Sequence, residues 1–160
     1  MGKIRTLPFI FLIIAAACSM LVEVDFDLKT FEQELQAWNN AKIAKYEYTY
    51  KSFGFISNKY KVKVEGDKCE ITDEYTGETS LDVDYRIENI FGKIKTIYDK
   101  SQGAQINKCD NYFYCSRIDV EYDNVNHIPL SIKYTYEVPE NFVVDGDFYY
   151  EIENFKILTD

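Results

Sequence analysis

Between Lys45 and Lys51 every second residue is a tyrosine and every residue between them is polar: Lys45-Tyr46-Glu47-Tyr48-Thr49-Tyr50-Lys51. A period of two puts all three rings on one face and leaves the other to water, which a helix of 3.6 residues per turn does not do. The segment is therefore a strand covered on one side only. That excludes an all-parallel sheet, whose strands are buried on both faces, and predicts an antiparallel one.

The same pattern recurs. Tyr60, Val62 and Val64 keep the period, Glu65-Gly66-Asp67-Lys68 reads as a tight turn, and Cys69 and Ile71 carry the returning strand, giving a three-stranded meander. Ile118, Val120 and Tyr122 alternate up to an Asp123-Asn124-Val125-Asn126-His127 turn, after which Leu130, Ile132, Tyr134 and Tyr136 form the next inward face. A last strand begins with Phe148, Tyr150 and Ile152. Its phase slips near Asn154 before Phe155 and Ile157, as a β-bulge requires.

Two segments change to the helical period. Asp27 reads as an N-cap, and Leu28, Phe31, Leu35 and Trp38 follow on one face until Asn39-Asn40 marks a fraying end. Ile87, Ile90, Phe91, Ile94, Ile97 and Tyr98 define a second amphipathic helix ending near Lys100. Gly92 weakens it by about 1 kcal/mol relative to alanine, which points to close packing there. Thr76-Gly77-Glu78 opens a polar loop through Asp84, and Ser101 to Cys115 reads as another. The expected class is α+β: an antiparallel sheet of about six strands with two amphipathic helices on one face, in the order helix, three strands, helix, three strands. Fourteen tyrosines suit such a sheet, since a phenol packs its ring and leaves its hydroxyl at water.

With 160 residues, 46% hydrophobic and 28% charged, the chain has the balance of one globular domain. Eighteen basic against 27 acidic side chains give a formal charge of −9, which excludes a nucleic-acid partner held by phosphate neutralisation.

The start of the chain is different in kind. Lys3 and Arg5 precede an apolar run, Leu7 to Ile14, and then Ala15-Ala16-Ala17-Cys18. This is the order of an export signal, and its apolar part is about half of the roughly 20 residues that cross a bilayer. Small residues before a cysteine resemble a bacterial lipobox, so residues 1–17 are expected to be removed and Cys18 to carry a diacylglyceryl group; an ordinary secretory signal is the alternative. Residues 18–26 are then a short lipidated tether and 27–158 the globular domain. Cleavage removes two basic residues and no acid, leaving 16 against 27 and a charge of −11. Acyl chains rather than a basic patch must therefore hold the domain at the cell-envelope membrane.

Several short motifs together resemble a family: the spacing of Phe31, Leu35 and Trp38, Tyr46-x-Tyr48, Val62-x-Val64 followed by Gly66, Thr76-Gly77-Glu78, Ile87-x-x-Ile90-Phe91-x-x-Ile94, and an aromatic strand through Tyr150, Ile152 and Phe155. The chain resembles, over roughly residues 26 to 157, the bacterial lipoprotein family catalogued as domain of unknown function 6174. The resemblance implies no activity and no catalytic residues. The chain departs from the pattern at the Cys109 to Cys115 loop, and His127-Ile128-Pro129 stands where a Gly-aromatic-Pro turn is common.

Lipidation of Cys18 leaves three cysteines. Cys109 and Cys115 are the favoured pair, closing a small ring that presents Tyr112, Phe113 and Tyr114 as a partner-binding patch, with Cys69 buried; the alternatives are three reduced thiols or a bridge from Cys69. His127 is the only histidine, and a Cys-His nucleophile would need a cysteine and an orienting group brought to it. Asp82 with Asp84, and Asp145-Gly146-Asp147 with Glu151, offer oxygen ligands but match no calcium loop. Neither metal nor cofactor is expected. The sequence reads best as a non-enzymatic envelope binding module with a protein or peptidoglycan-associated partner; an envelope cysteine hydrolase and an inhibitor-like structural module are the rivals.

Overall fold

The computed structural model describes residues 20–54, 56–106, 114–137 and 148–159. The elements are β1 (Met20–Leu21), α1 (Leu28–Ala41), β2 (Lys45–Phe53), β3 (Asn58–Glu65), β4 (Lys68–Asp73), β5 (Thr79–Leu81), a 3₁₀ turn (Val83–Tyr85), α2 (Ile87–Ser101), β6 (Gln105–Ile106), β7 (Tyr114–Tyr122), β8 (Pro129–Glu137) and β9 (Phe148–Ile157).

Each helix forms where its period and caps place it. The Asp27 carboxylate accepts from the Thr30 amide at 3.0 Å, and Phe31 and Trp38 are buried one above the other. The helix runs through Asn39-Asn40 to Ala41 and stops where Lys42 turns left-handed (φ 52°). In α2, Ile87, Ile90, Phe91 and Ile94 are all buried.

Seven strands form one antiparallel sheet in the order β5-β4-β3-β2-β9-β8-β7. It consists of two meanders joined where the first strand of one, β2, pairs with the last strand of the other, β9. The β3–β4 hairpin pairs Glu65 with Lys68, and Gly66 takes the left-handed φ of 59° that the first residue of a two-residue turn needs. Tyr46 and Tyr48, Val62 and Val64, Cys69, Ile118, Ile132, Tyr134 and Ile152 are buried on the helix side. Trp38 meets Tyr46 and Phe155 edge-on at 5.4 and 6.1 Å, and Phe31 of α1 meets Phe91 of α2 at 5.6 Å, so both helices share one layer. The other face carries cross-strand ion pairs, among them Lys51 with Glu153 at 2.6 Å and with Glu151 at 3.7 Å.

The slip near Asn154 is a bulge. Glu47 pairs with Lys156 and Thr49 with Glu153, so Tyr48 faces both Asn154 and Phe155, and Asn154 absorbs the extra residue at φ 55°. That shift keeps Phe155 against Trp38 and Tyr46.

Four expectations change. The sheet has seven strands rather than about six, because Thr79–Leu81, inside the expected polar loop, pairs with β4. All three of its residues are exposed, so no apolar alternation marks it; a Thr72–Thr79 hydroxyl contact at 3.0 Å helps to hold the edge. The expected tether is part of the fold from Met20 to Phe26: β1 pairs with β6, itself in an expected loop, Val22 and Val24 are buried, and Phe26 packs on Phe31 and Tyr98. Nor do all tyrosine hydroxyls reach water. The Tyr46 hydroxyl accepts from the buried Ile87 amide at 3.0 Å, and the Tyr48 hydroxyl donates to the Tyr85 carbonyl, so β2 fastens the start of α2.

The fourth change is Gly92, which is exposed and has open space where a Cβ would be. No close approach accounts for it. Gly92→Ala is therefore expected to stabilise the domain by about 0.5–1 kcal/mol through helix propensity alone. Differential scanning calorimetry checks this, and a lowered melting midpoint would contradict the open surface.

Candidate functional site

The two helices do not cover the sheet evenly. Toward one side of α2, Tyr50 of β2, Tyr134 of β8 and Tyr150 of β9 converge with Tyr85 of the 3₁₀ turn around a cavity of about 130 Å³, closed on the helix side by Ile90 and Ile97. The strands deliver these rings because their period keeps every second residue on this face. The rings pack edge to face: Tyr85 against Tyr50 at 5.0 Å and Tyr60 at 5.4 Å, and Tyr134 against Tyr150 at 6.0 Å.

Among the described residues that line the cleft, the charged ones are Asp84 and Lys93, at its rim. Lys93 pairs with Asp84 at 3.2 Å and lies over the Tyr85 ring at 5.7 Å, with both charged side chains more than half exposed. Asp84, Lys93 and Ile97 also line a shallower groove of about 500 Å³ that continues across Gly92 and Thr96.

Burial sets the chemistry of the cleft. Desolvation pushes Tyr85 up to about 12, its Tyr60 neighbour adding to the shift, and raises Tyr50 and Tyr134 further still. Tyr150 is raised for the same reason. All four phenols are neutral at physiological pH, so they offer aromatic faces and hydrogen bonds rather than a base or nucleophile.

The residues singled out by sequence lie elsewhere. Cys18, Cys109, Tyr112, Phe113, Asp145 and Asp147 fall outside the described residues. Tyr114 begins β7 half-buried against the core. Cys115 is fully buried, and its thiol donates to the Arg117 carbonyl at 3.2 Å. Cys69 is buried and Cys115 with it, both as free thiols. Burial pushes the Cys69 thiol up to about 11 and raises Cys115, the opposite of the shift that activates a nucleophile.

His127 adopts φ 57°, in the left-handed region that glycine favours, and its Nδ1 lies 2.8 Å from Glu34 of α1. It ties the β7–β8 turn to the helix. Asp82 accepts from the Asp84 amide at 2.9 Å, and among the described residues no group of three His, Cys, Asp or Glu side chains is placed to hold a metal. No helix among the described residues is long and apolar enough to cross a membrane.

Tyr50, Tyr134 and Tyr150 were visible in sequence as inward-facing strand residues. What alternation does not encode is which part of that face the helices leave uncovered, and Asp84, Tyr85 and Lys93 join the cleft only through the fold.

The architecture defines a two-layer α+β module, two helices packed on one face of a seven-stranded antiparallel sheet. The chain belongs to the family of unknown function DUF6174, whose profile matches residues 30–157. No curated protein matches it.

Proposed function

We propose that this chain is a lipid-anchored binding module of the bacterial cell envelope, exported by residues 1–17 and held at the membrane through Cys18. The observation that carries the binding role is the convergence of Tyr50, Tyr85, Tyr134 and Tyr150 on one cleft with an ion pair at its mouth. Tyrosine supplies large contact area at low entropic cost and is enriched where partners concentrate binding energy. The cleft suits an aromatic or branched aliphatic group presented by an envelope protein or a peptidoglycan-associated component. The Tyr112 to Tyr114 segment remains a second candidate contact. A rival cysteine hydrolase draws no support from two buried thiols with raised pKa values.

The test places a photo-crosslinking residue at Tyr150, and separately at Lys61 on the opposite sheet face, in intact cells. The expected result is a discrete adduct from Tyr150 that Lys93→Glu weakens, with none from Lys61. Identical profiles from the two positions would remove the cleft from the account. Deleting Tyr112 to Tyr114 reports on the loop in the same assay, and intact mass of membrane-extracted protein counts its acyl chains and disulfides.

A further inference from the structure

We infer that the domain is held in one orientation on the bilayer, with the β1–β6 corner and the exposed Leu21 side chain at the headgroups and the β5 edge pointing away. The inference rests on lipidation of Cys18 and extends it, because the segment after that cysteine is built into the fold.

From Met20 onward the backbone is continuously bonded to the domain. Met20 and Leu21 pair with Ile106 and Gln105; the Val22 amide donates to Ala104 O at 2.9 Å and its carbonyl accepts from Gly103 at 2.8 Å; the Val24 amide donates to Gln102 Oε1 at 2.8 Å. Asp25 then bridges β7, donating to Ser116 O at 2.8 Å and accepting from Ile118 at 3.0 Å. Val22 and Val24 are 5% and 6% exposed, so the segment cannot peel away without uncovering core.

One residue, Ser19, separates Cys18 from Met20, and the two residue steps between them span at most about 7 Å when extended. A thiol whose acyl chains lie in the hydrocarbon core therefore brings Met20 into the headgroup layer. Leu21, 65% exposed, is the apolar side chain beside it. Only the corner is drawn down, since the mature charge of −11 is repelled by an anionic leaflet. Asp25 joins the sheet at β7, and β5 lies at the opposite edge, six strand spacings or about 29 Å across the sheet. The first meander thus reaches outward.

The test uses full-length protein extracted from membranes, its mass checked for acyl chains, and reconstituted in phosphatidylethanolamine–phosphatidylglycerol vesicles containing headgroup-nitroxide lipid. A fluorophore is placed at Leu21, at Tyr75 in the β4–β5 turn, or at Ser80 in β5. The expected result is loss of most emission at Leu21 and little at the other two. A glycine-serine insert of about ten residues between Ser19 and Met20, with a span of roughly 17 Å, should abolish the difference while the protein still floats with the vesicles. Acylated protein quenched equally at all three positions, or a Leu21 signal unchanged by the insert, would overturn the fixed orientation and leave the anchor intact. Protein with no acyl mass that fails to float would instead overturn the anchor itself.

Discussion

Trp38→Ala is expected to lower the unfolding free energy by about 3–5 kcal/mol, the range for removing a large aromatic from a packed interior. Trp38 is 4% exposed and wedged between α1 and the sheet, edge-on to Tyr46 and Phe155. Truncation removes both ring contacts and opens a void that neither neighbour can fill: Tyr46 is tied by its hydroxyl to the start of α2, and Phe155 is set by the bulge at Asn154. Against a typical domain stability of about 5–15 kcal/mol, that loss runs from about a fifth to the whole. Because Trp38 is the only tryptophan, urea unfolding should be followed by circular dichroism rather than by fluorescence. A loss below about 1 kcal/mol would mean that the helix repacks over the gap.

Tyr46→Phe keeps the ring and removes one oxygen, yet is expected to cost about 1–3 kcal/mol, since a buried amide is left without an acceptor. That amide is Ile87 N, at the first residue of α2, where Arg86 supplies no side-chain cap. Burial, partly offset by this bond, also drives the Tyr46 pKa well above the ordinary phenol value, so the hydroxyl is neutral and available to accept. Tyr75→Phe is the control: Tyr75 is 71% exposed, and its change should stay within about 0.5 kcal/mol. Equal effects of the two substitutions would show that water, not the phenol, satisfies the amide.

Trp38 was readable from its place in a helical stripe, whereas the bond made by Tyr46 was not. Period-two alternation identifies β2, β3, β4, β7, β8 and β9, and the i, i+3, i+4 spacing identifies both helices, because each element buries one face against a single core. The bulge was legible because strict alternation beyond Ile152 would turn Phe155 to water, and an extra residue in the strand returns it to the core. β5 was not legible, since an exposed three-residue edge has no buried face to leave a pattern. Val22 and Val24 alternate too, but over a segment too short to be told from a linker. The Tyr46 hydroxyl bond and the tyrosine cleft belong to tertiary placement, where residues 41 positions apart in sequence meet.

The seam between β2 and β9 has a consequence for how the chain is made. It joins positions such as Lys51 and Glu153, 102 residues apart, so the centre of the sheet stays unzipped until β9 has been made and brought back to β2. Contacts of such separation form slowly. Until they do, each meander exposes a long unpaired border ready to recruit a neighbour. A copy truncated before β9 would therefore be a hazard to its neighbours, and β9 acts as the clasp that makes this molecule safe at high local density.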